Sequence, residues 1–238
     1  MPMSIDLFPG DTALTCPIWV RLINNLDINI LFSLEFIRSS EKAIVYAVSH
    51  EVAQHSAITG VGLVALQQLV TVLDKYFPAR IEMALLLREL RSWVFRHQVR
   101  SLNPALCCDD YWHCCRQDTI RGEDLSAWFQ SYRTRHSFHV SDTWLGCRGS
   151  ADRYGGYPCG LWSVWHVLTV GQAEAGAGEA GEVLAAMKMY IQEFFGCREC
   201  ARHFDQAIEG GKLIENEVKS HEDAVLLLWL VHNKVNIR

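Results

Sequence analysis

An all-α fold is what this sequence predicts, on three observations. Apolar residues recur at intervals of three and four through residues 61–94 and again through most of the last third of the chain. Helix start and stop signals bracket these runs: a capping pattern at Ser220, Pro78 and the Gly210–Gly211 pair. Two-residue alternation, the signature of half-buried strands, is scarce, and no internal repeat stands out. The 238 residues suffice for one large or two small domains with a packed core.

Taken in order, residues 1–45 carry mixed signals and support no assigned element. Ile18 to Phe36 is fairly apolar, but Arg21, Asp27 and Glu35 interrupt it. From about 61 the pattern turns helical: Leu66, Leu69, Val70, Leu73 and Phe77 share a face, and Pro78 ends the run. IEMALLLRELRSWVFRH continues it with Leu86, Leu90, Trp93 and Val94. Residues 100–124 read as irregular and polar, and contain CCDDYWHCC. A second helical block follows Pro158, beginning GLWSVWHVLTV. The Gly/Ala-rich stretch 171–182 reads as a loop. EVLAAMKMYIQEFF then aligns Val183, Met187, Ile191 and Phe194, and ARHFDQAIEGG forms a short helix closed by its two glycines. Last, Ser220 and Asp223 resemble a capping box opening HEDAVLLLWLVHNKVN. The centre of that segment is apolar all round, as expected of a buried helix.

Composition narrows the function. Half the residues are apolar, about a fifth are charged, and the net charge is −5. This leaves no electrostatic footprint for nucleic acid or an anionic membrane. No apolar run is long enough to cross a bilayer. The start, MPMSIDLFPGDTALTC, lacks the basic stretch and apolar run of a secretory signal. Eight of the nine cysteines fall between 107 and 200, which suggests an oxidising compartment or thiol chemistry.

The segment FFGCRECARHF places Cys197 and Cys200 two residues apart at the start of a predicted helix. A CxxC turn brings both sulfurs within bonding distance, and helix N-terminal amides favour a thiolate. Three readings stay open on spacing alone: a redox disulfide, favoured, a structural disulfide, or part of a metal site. Zinc needs four ligands; no second CxxC exists, and His203 adds only a third. Cys107, Cys108, His113, Cys114 and Cys115 in CCDDYWHCC are spaced too closely for standard zinc knuckles and read as structural disulfides or free thiols. Cys147 and Cys159 flank the turn-rich RGSADRYGGYP, where a loop-closing disulfide would stabilise by roughly 3 kcal/mol. Trp162 and His166 share a helix face; so do Trp229, His232, Asn233 and Asn236. Taken singly, each such residue is more often ordinary core or surface. Together, beside a CxxC, they are what a helical bundle needs to hold a ring-and-phosphate cofactor, in a chain without GxGxxG or a Walker motif.

CRGSADRYGGYPCGLWSVWHVLTV, FFGCRECARHF and LLLWLVHNKVN, in that order, resemble the flavin domain of the Erv/ALR sulfhydryl oxidases, and most closely the quiescin branch. The resemblance covers 147–238 as the flavin domain and, more weakly, 46–146 as the helix-rich (pseudo-Erv) region that precedes it. It implies an Erv/ALR-type helical bundle that binds FAD. It implies that Cys197 and Cys200 form the active disulfide, and that Cys147 and Cys159 form a structural one. Cofactor contacts are implied for Trp162, His166, Glu199, His203, Trp229, His232, Asn233, Val235 and Asn236, and no metal is implied. Gly155 stands where the family pattern implies a basic flavin contact. The thioredoxin domains and C-terminal tail of full-length members have no counterpart here, with Cys16 alone in TCPIW, so the expectation is a fragment or shortened product.

The implied activity is FAD-linked oxidation of dithiols or reduced proteins, with oxygen reduced to hydrogen peroxide. Cys197 would exchange with substrate and Cys200 would face the flavin. The chain is expected to be a monomer whose residues 46–146 take the place of the partner in the two-fold dimers of simpler members. The resemblance implies the secretory pathway or the cell exterior, with no membrane or nucleic-acid partner. Two other readings are an inactive helical interaction module derived from the oxidase, and a Cys/His zinc module.

Overall fold

The computed structural model describes residues 34–96, 99–102, 116–144, 146–148 and 155–236. Cys16, the CCDDYWHCC segment and most of Ile18–Phe36 lie outside the described residues. The described chain is built mainly of helices. Helix α1 spans Leu34–Tyr46 and runs into a wider π-helical turn, Ala47–Val52. Next come α2, Gly60–Tyr76; α3, Ile81–Arg96; and α4, Gly122–His136. The last third holds α5, Gly156–Ala175; α6, Glu182–Glu193; α7, Arg198–Ala207; α8, Lys212–Glu217; and α9, His221–Asn236.

The predicted apolar faces are the buried ones. Leu66, Leu69, Val70, Leu73 and Phe77 are in the core, as are Leu86, Leu90, Trp93 and Val94, and Val183, Met187, Ile191 and Phe194. Helix α5 is the hub, packing against α1, α2, α6 and α9. Two glycines permit this closeness. A Cβ on Gly171 would lie 2.2 Å from the Tyr76 carbonyl oxygen at the end of α2, and one on Gly160 would lie 2.9 Å from Ala43 of α1. The core is a single cluster running through both halves of the chain.

Four features differ from the sequence expectation. A small antiparallel sheet exists, with β1 (Ile58–Thr59) and β2 (Val99–Leu102) flanking β3 (Arg116–Ile120), so residues 100–124 are not wholly irregular. Helix α1 begins at Leu34, inside the stretch that supported no element. Its pattern is masked by Ser39, Ser40 and Glu41, which are polar yet buried. Glu41 is satisfied by a two-pronged pair with Arg80, at 2.6 and 3.1 Å. Helix α5 runs to Ala175, so the loop is confined to the residues before Glu182. Finally, α9 is not buried all round: Leu227, Leu228 and Val231 face the core, while Leu226 and Leu230 are each 37% exposed. The Ser220 capping box forms, with the Asp223 amide donating to Ser220 Oγ at 3.2 Å and the Ser220 amide to Asp223 Oδ2 at 2.8 Å.

Candidate functional site

The CxxC turn joins α6 to α7. Cys197 and Cys200 form a disulfide with Cα atoms 5.2 Å apart. Cys197 is the N-cap of α7, and its sulfur accepts the Cys200 amide at 3.2 Å. Both cysteines are exposed. Arg198 anchors the turn by donating to the Gln192 carbonyl at 2.8 Å. The pair therefore sits where backbone amides converge and solvent thiols can reach it.

Beside the turn lies an apolar slot of about 140 Å³. Its lining includes Trp162 and Trp165 from α5, Phe195, Cys200 and Phe204 from the turn and α7, and Val235 from α9. Cys197 is absent from this lining, so the two sulfurs differ: one borders the slot and the other does not. Trp162 stacks on His232 with centroids 4.1 Å apart and planes 3° from parallel. Phe204 meets Trp162 edge-on at 6.3 Å.

His166 and His232 face each other, Nε2 to Nδ1 at 3.0 Å. Burial, and then the neighbouring His232, keeps His166 well below the usual imidazole range. Burial holds His232 down at about 4. Both rings are neutral at pH 7, so one ring N–H donates to the other ring's lone pair.

The structure brings together Trp162, His166, Cys200, His232 and Val235. Trp229 and Asn233 are half-buried on α9, and His203 is half-buried on α7. Glu199 projects outward, its side chain 75% exposed, 3.9 Å from Arg202. Asn236 closes α9, in register with His232 and Asn233. Cys147 and Cys159 are bonded, with Cα atoms 5.7 Å apart, at the entry to α5.

Sequence reasoning missed Trp165. It is fully buried, borders the slot, and its indole Nε1–H has no acceptor among the described residues. Adjacent to the Trp162 already singled out, it reads as ordinary core. Its signal is chemical: a buried indole usually finds a hydrogen-bond partner.

A helical bundle carrying an exposed CxxC disulfide against an aromatic slot defines a thiol–disulfide exchange protein built around a flat ligand. Comparison with known proteins makes this specific. Residues 159–238 match the model of the Erv1 / Alr family, and residues 36–113 match that of flavin adenine dinucleotide (FAD)-dependent sulfhydryl oxidase. Sulfhydryl oxidase 1 of Gallus gallus is 35% identical over 205 residues, covering 85% of this chain and 25% of that protein. Sulfhydryl oxidase 2 of Mus musculus is 35% identical over 207 residues, covering 83% of this chain and 27% of that protein. The solved "Sulfhydryl Oxidase Fragment of Human QSOX1" aligns with a TM-score of 0.69 and 33% identity, over 84% of this chain and 74% of that one. The chain belongs to the Erv/ALR family of FAD-linked sulfhydryl oxidases. It spans about a quarter of the length of the curated relatives it matches.

The residues present fit the family's cofactor. Aromatic walls suit a flat ring, and the Trp165 indole supplies a buried donor with no acceptor among the described residues, which ring carbonyls and nitrogens can provide.

Proposed function

We propose that this chain is an FAD-linked thiol oxidase acting through Cys197 and Cys200. The observation that carries this reading is the asymmetry of the pair: Cys200 borders the aromatic slot and Cys197 does not. A substrate thiolate attacks Cys197 Sγ, breaking the Cys197–Cys200 bond and releasing Cys200 as a thiolate. The second substrate thiol attacks the mixed disulfide and releases Cys197. The substrate leaves as a disulfide, and its two electrons and two protons now reside on the Cys197–Cys200 dithiol. When bound, FAD would supply the two-electron oxidant for that dithiol, with oxygen as the final acceptor and hydrogen peroxide as its product. Re-formation of the Cys197–Cys200 bond completes the cycle.

Trp162, His166, Trp165, His232 and Val235 are the residues that would hold the ring end of the cofactor. Glu199, His203, Trp229, Asn233 and Asn236 complete the proposed contact set. The two histidines position rather than abstract protons, because burial keeps both uncharged and each occupies the other. Cys147–Cys159 is a staple at the start of α5 and takes no part in exchange.

A monomer is supported by α1 and α2, which pack on α5 and α6 within one chain. On this reading 46–146 is the helix-rich partner of a flavin domain at 147–238. Two disulfides among the described residues support residence in an oxidising compartment, the secretory pathway or the cell exterior.

The test is oxygen uptake and peroxide release by purified, FAD-loaded protein given dithiothreitol or a reduced unfolded protein. Turnover on the small dithiol is expected, because the exposed Cys197–Cys200 pair is open to it. An FAD-loaded chain that leaves dithiothreitol unoxidised is an interaction module and not an oxidase.

A further inference from the structure

One contact to the CxxC turn comes from far away in sequence. The Gly196 amide, immediately before Cys197, donates to Glu51 Oε2 at 2.7 Å, across 145 positions. Glu51 lies in the π-helical turn Ala47–Val52. Such turns carry one extra residue and occur often at functional sites. Several neighbours brace this one. Ser49 Oγ donates to the Val45 carbonyl at 2.7 Å, His50 stacks on Tyr46 at 4.6 Å, and His55 Nδ1 lies 3.0 Å from the Glu51 carbonyl oxygen. Tyr46 in turn packs on Tyr157, whose hydroxyl meets that of Tyr190 at 2.6 Å. The carboxylate is thus presented from a braced turn.

Gly196 is shaped for this contact. A Cβ there would sit 3.0 Å from Glu51 Oε2 and 3.4 Å from Oε1, so a side chain would push the carboxylate a few tenths of an ångström out of place. On the other flank Arg198 ties the turn to the end of α6. The segment carrying Cys197 is therefore clamped between the N-terminal helices and α6. Amide-to-carboxylate bonds are among the stronger hydrogen bonds, and this one fixes the backbone next to an exchanging sulfur.

We propose that Glu51 is a positioning residue for the Cys197–Cys200 disulfide, through which the N-terminal helical region sets the reactivity of the exchange site. The proposal rests on the thiol-oxidase reading of that site. It also gives the N-terminal helices a role beyond covering α5 and α6. They hold the loop on which substrate attack occurs.

The experiment uses the full chain, with Glu51→Ala, Glu51→Gln, Gly196→Ala and the Glu51→Ala/Gly196→Ala double variant. Two readouts are taken: kcat/KM for dithiothreitol on the FAD-loaded chain, and the oxidised-to-reduced ratio of Cys197–Cys200 in oxygen-free glutathione buffers on the same chain without FAD, read by thiol alkylation. Glu51→Ala should lower kcat/KM by about tenfold, the loss of one charge-assisted hydrogen bond. It should move the glutathione equilibrium at least about threefold toward the dithiol, with FAD content unchanged. Glu51→Gln keeps an acceptor and should stay within about threefold of wild type. Gly196→Ala should cost about as much as Glu51→Ala, but add little on the Glu51→Ala background, since the group it crowds is gone. Three results overturn the proposal: wild-type rate and equilibrium in Glu51→Ala, an unmoved equilibrium alongside a lowered melting temperature, or full additivity in the double variant. The glutathione equilibrium needs neither flavin nor oxygen, so it still tests Glu51 if the wild-type chain proves not to be an oxidase.

Discussion

The molecule contains two described disulfides of nearly equal span, and their surroundings assign them opposite duties. Cys147 is 2% exposed, at the entry to α5. Its segment is pinned by the Gly146 amide donating to Ser39 Oγ and by the Gly156 amide donating to the Cys147 carbonyl. That sulfur is shielded from solvent thiols, while its partner Cys159 is half-buried. Cys197 and Cys200 lie on an exposed turn at a helix N-terminus, with an aromatic slot behind one of them. On the proposed reading, the same covalent bond is a staple in one place and a reactive group in the other. Access and local electrostatics, not the bond itself, make the difference.

The largest expected effect breaks the comparison outright. Cys200→Ser should lower dithiothreitol oxidation by more than about a hundredfold, because the leaving sulfur and the electron route are both lost. The Cys147→Ser/Cys159→Ser variant should keep per-flavin turnover within about twofold. Peroxide release per bound flavin compares them directly. The staple should show itself in stability. Losing it costs about 3 kcal/mol in the chain-entropy account, a fall in melting temperature of about 6–12 °C for a chain of this size. Thermal unfolding of the same variant, followed by circular dichroism, measures it.

A smaller effect concerns pH. His232 has a folded pKa of about 4 and His166 also lies below its ordinary value, so the unfolded chain binds more protons between about 6.5 and 4. The stability of the neutral pair is fully present above about 6.5 and is lost as pH falls toward 4. Melting temperature measured across that window should drop, and His232→Asn should flatten the drop. The least effect belongs to Trp165. Trp165→Phe keeps the apolar wall and removes the donor, so FAD should bind about fivefold more weakly, as read by fluorescence titration, with stability little changed.

Much of this was legible in the sequence, for identifiable reasons. The faces of α2, α3 and α6 are regular apolar stripes, and Ser220 with Asp223 spells out the start of α9. CxxC is a local motif, so its geometry follows from spacing alone. What escaped depends on distant partners. Helix α1 was hidden because Glu41 is polar at a core position, and only Arg80, 39 residues away, makes it tolerable there. In α4 the buried Leu125, Phe129 and Tyr132 are separated by polar residues that blur the stripe. The exposed edge of α9 could not be told from its buried side, since Leu226 and Leu230 are as apolar as Leu227 and Leu228. The clamp of Glu51 on Gly196 has no sequence signature at all.

On the proposed reading Cys200, and not the Cys147–Cys159 pair, passes substrate electrons to the cofactor. The most direct measurement is flavin absorbance under anaerobic conditions after mixing FAD-loaded protein with dithiothreitol. Wild type and the Cys147→Ser/Cys159→Ser variant should lose the yellow absorbance rapidly and regain it when oxygen is admitted, while Cys200→Ser should stay yellow. Bleaching of Cys200→Ser at the wild-type rate, or failure of the Cys147→Ser/Cys159→Ser variant to bleach with its flavin fully bound, would contradict the account.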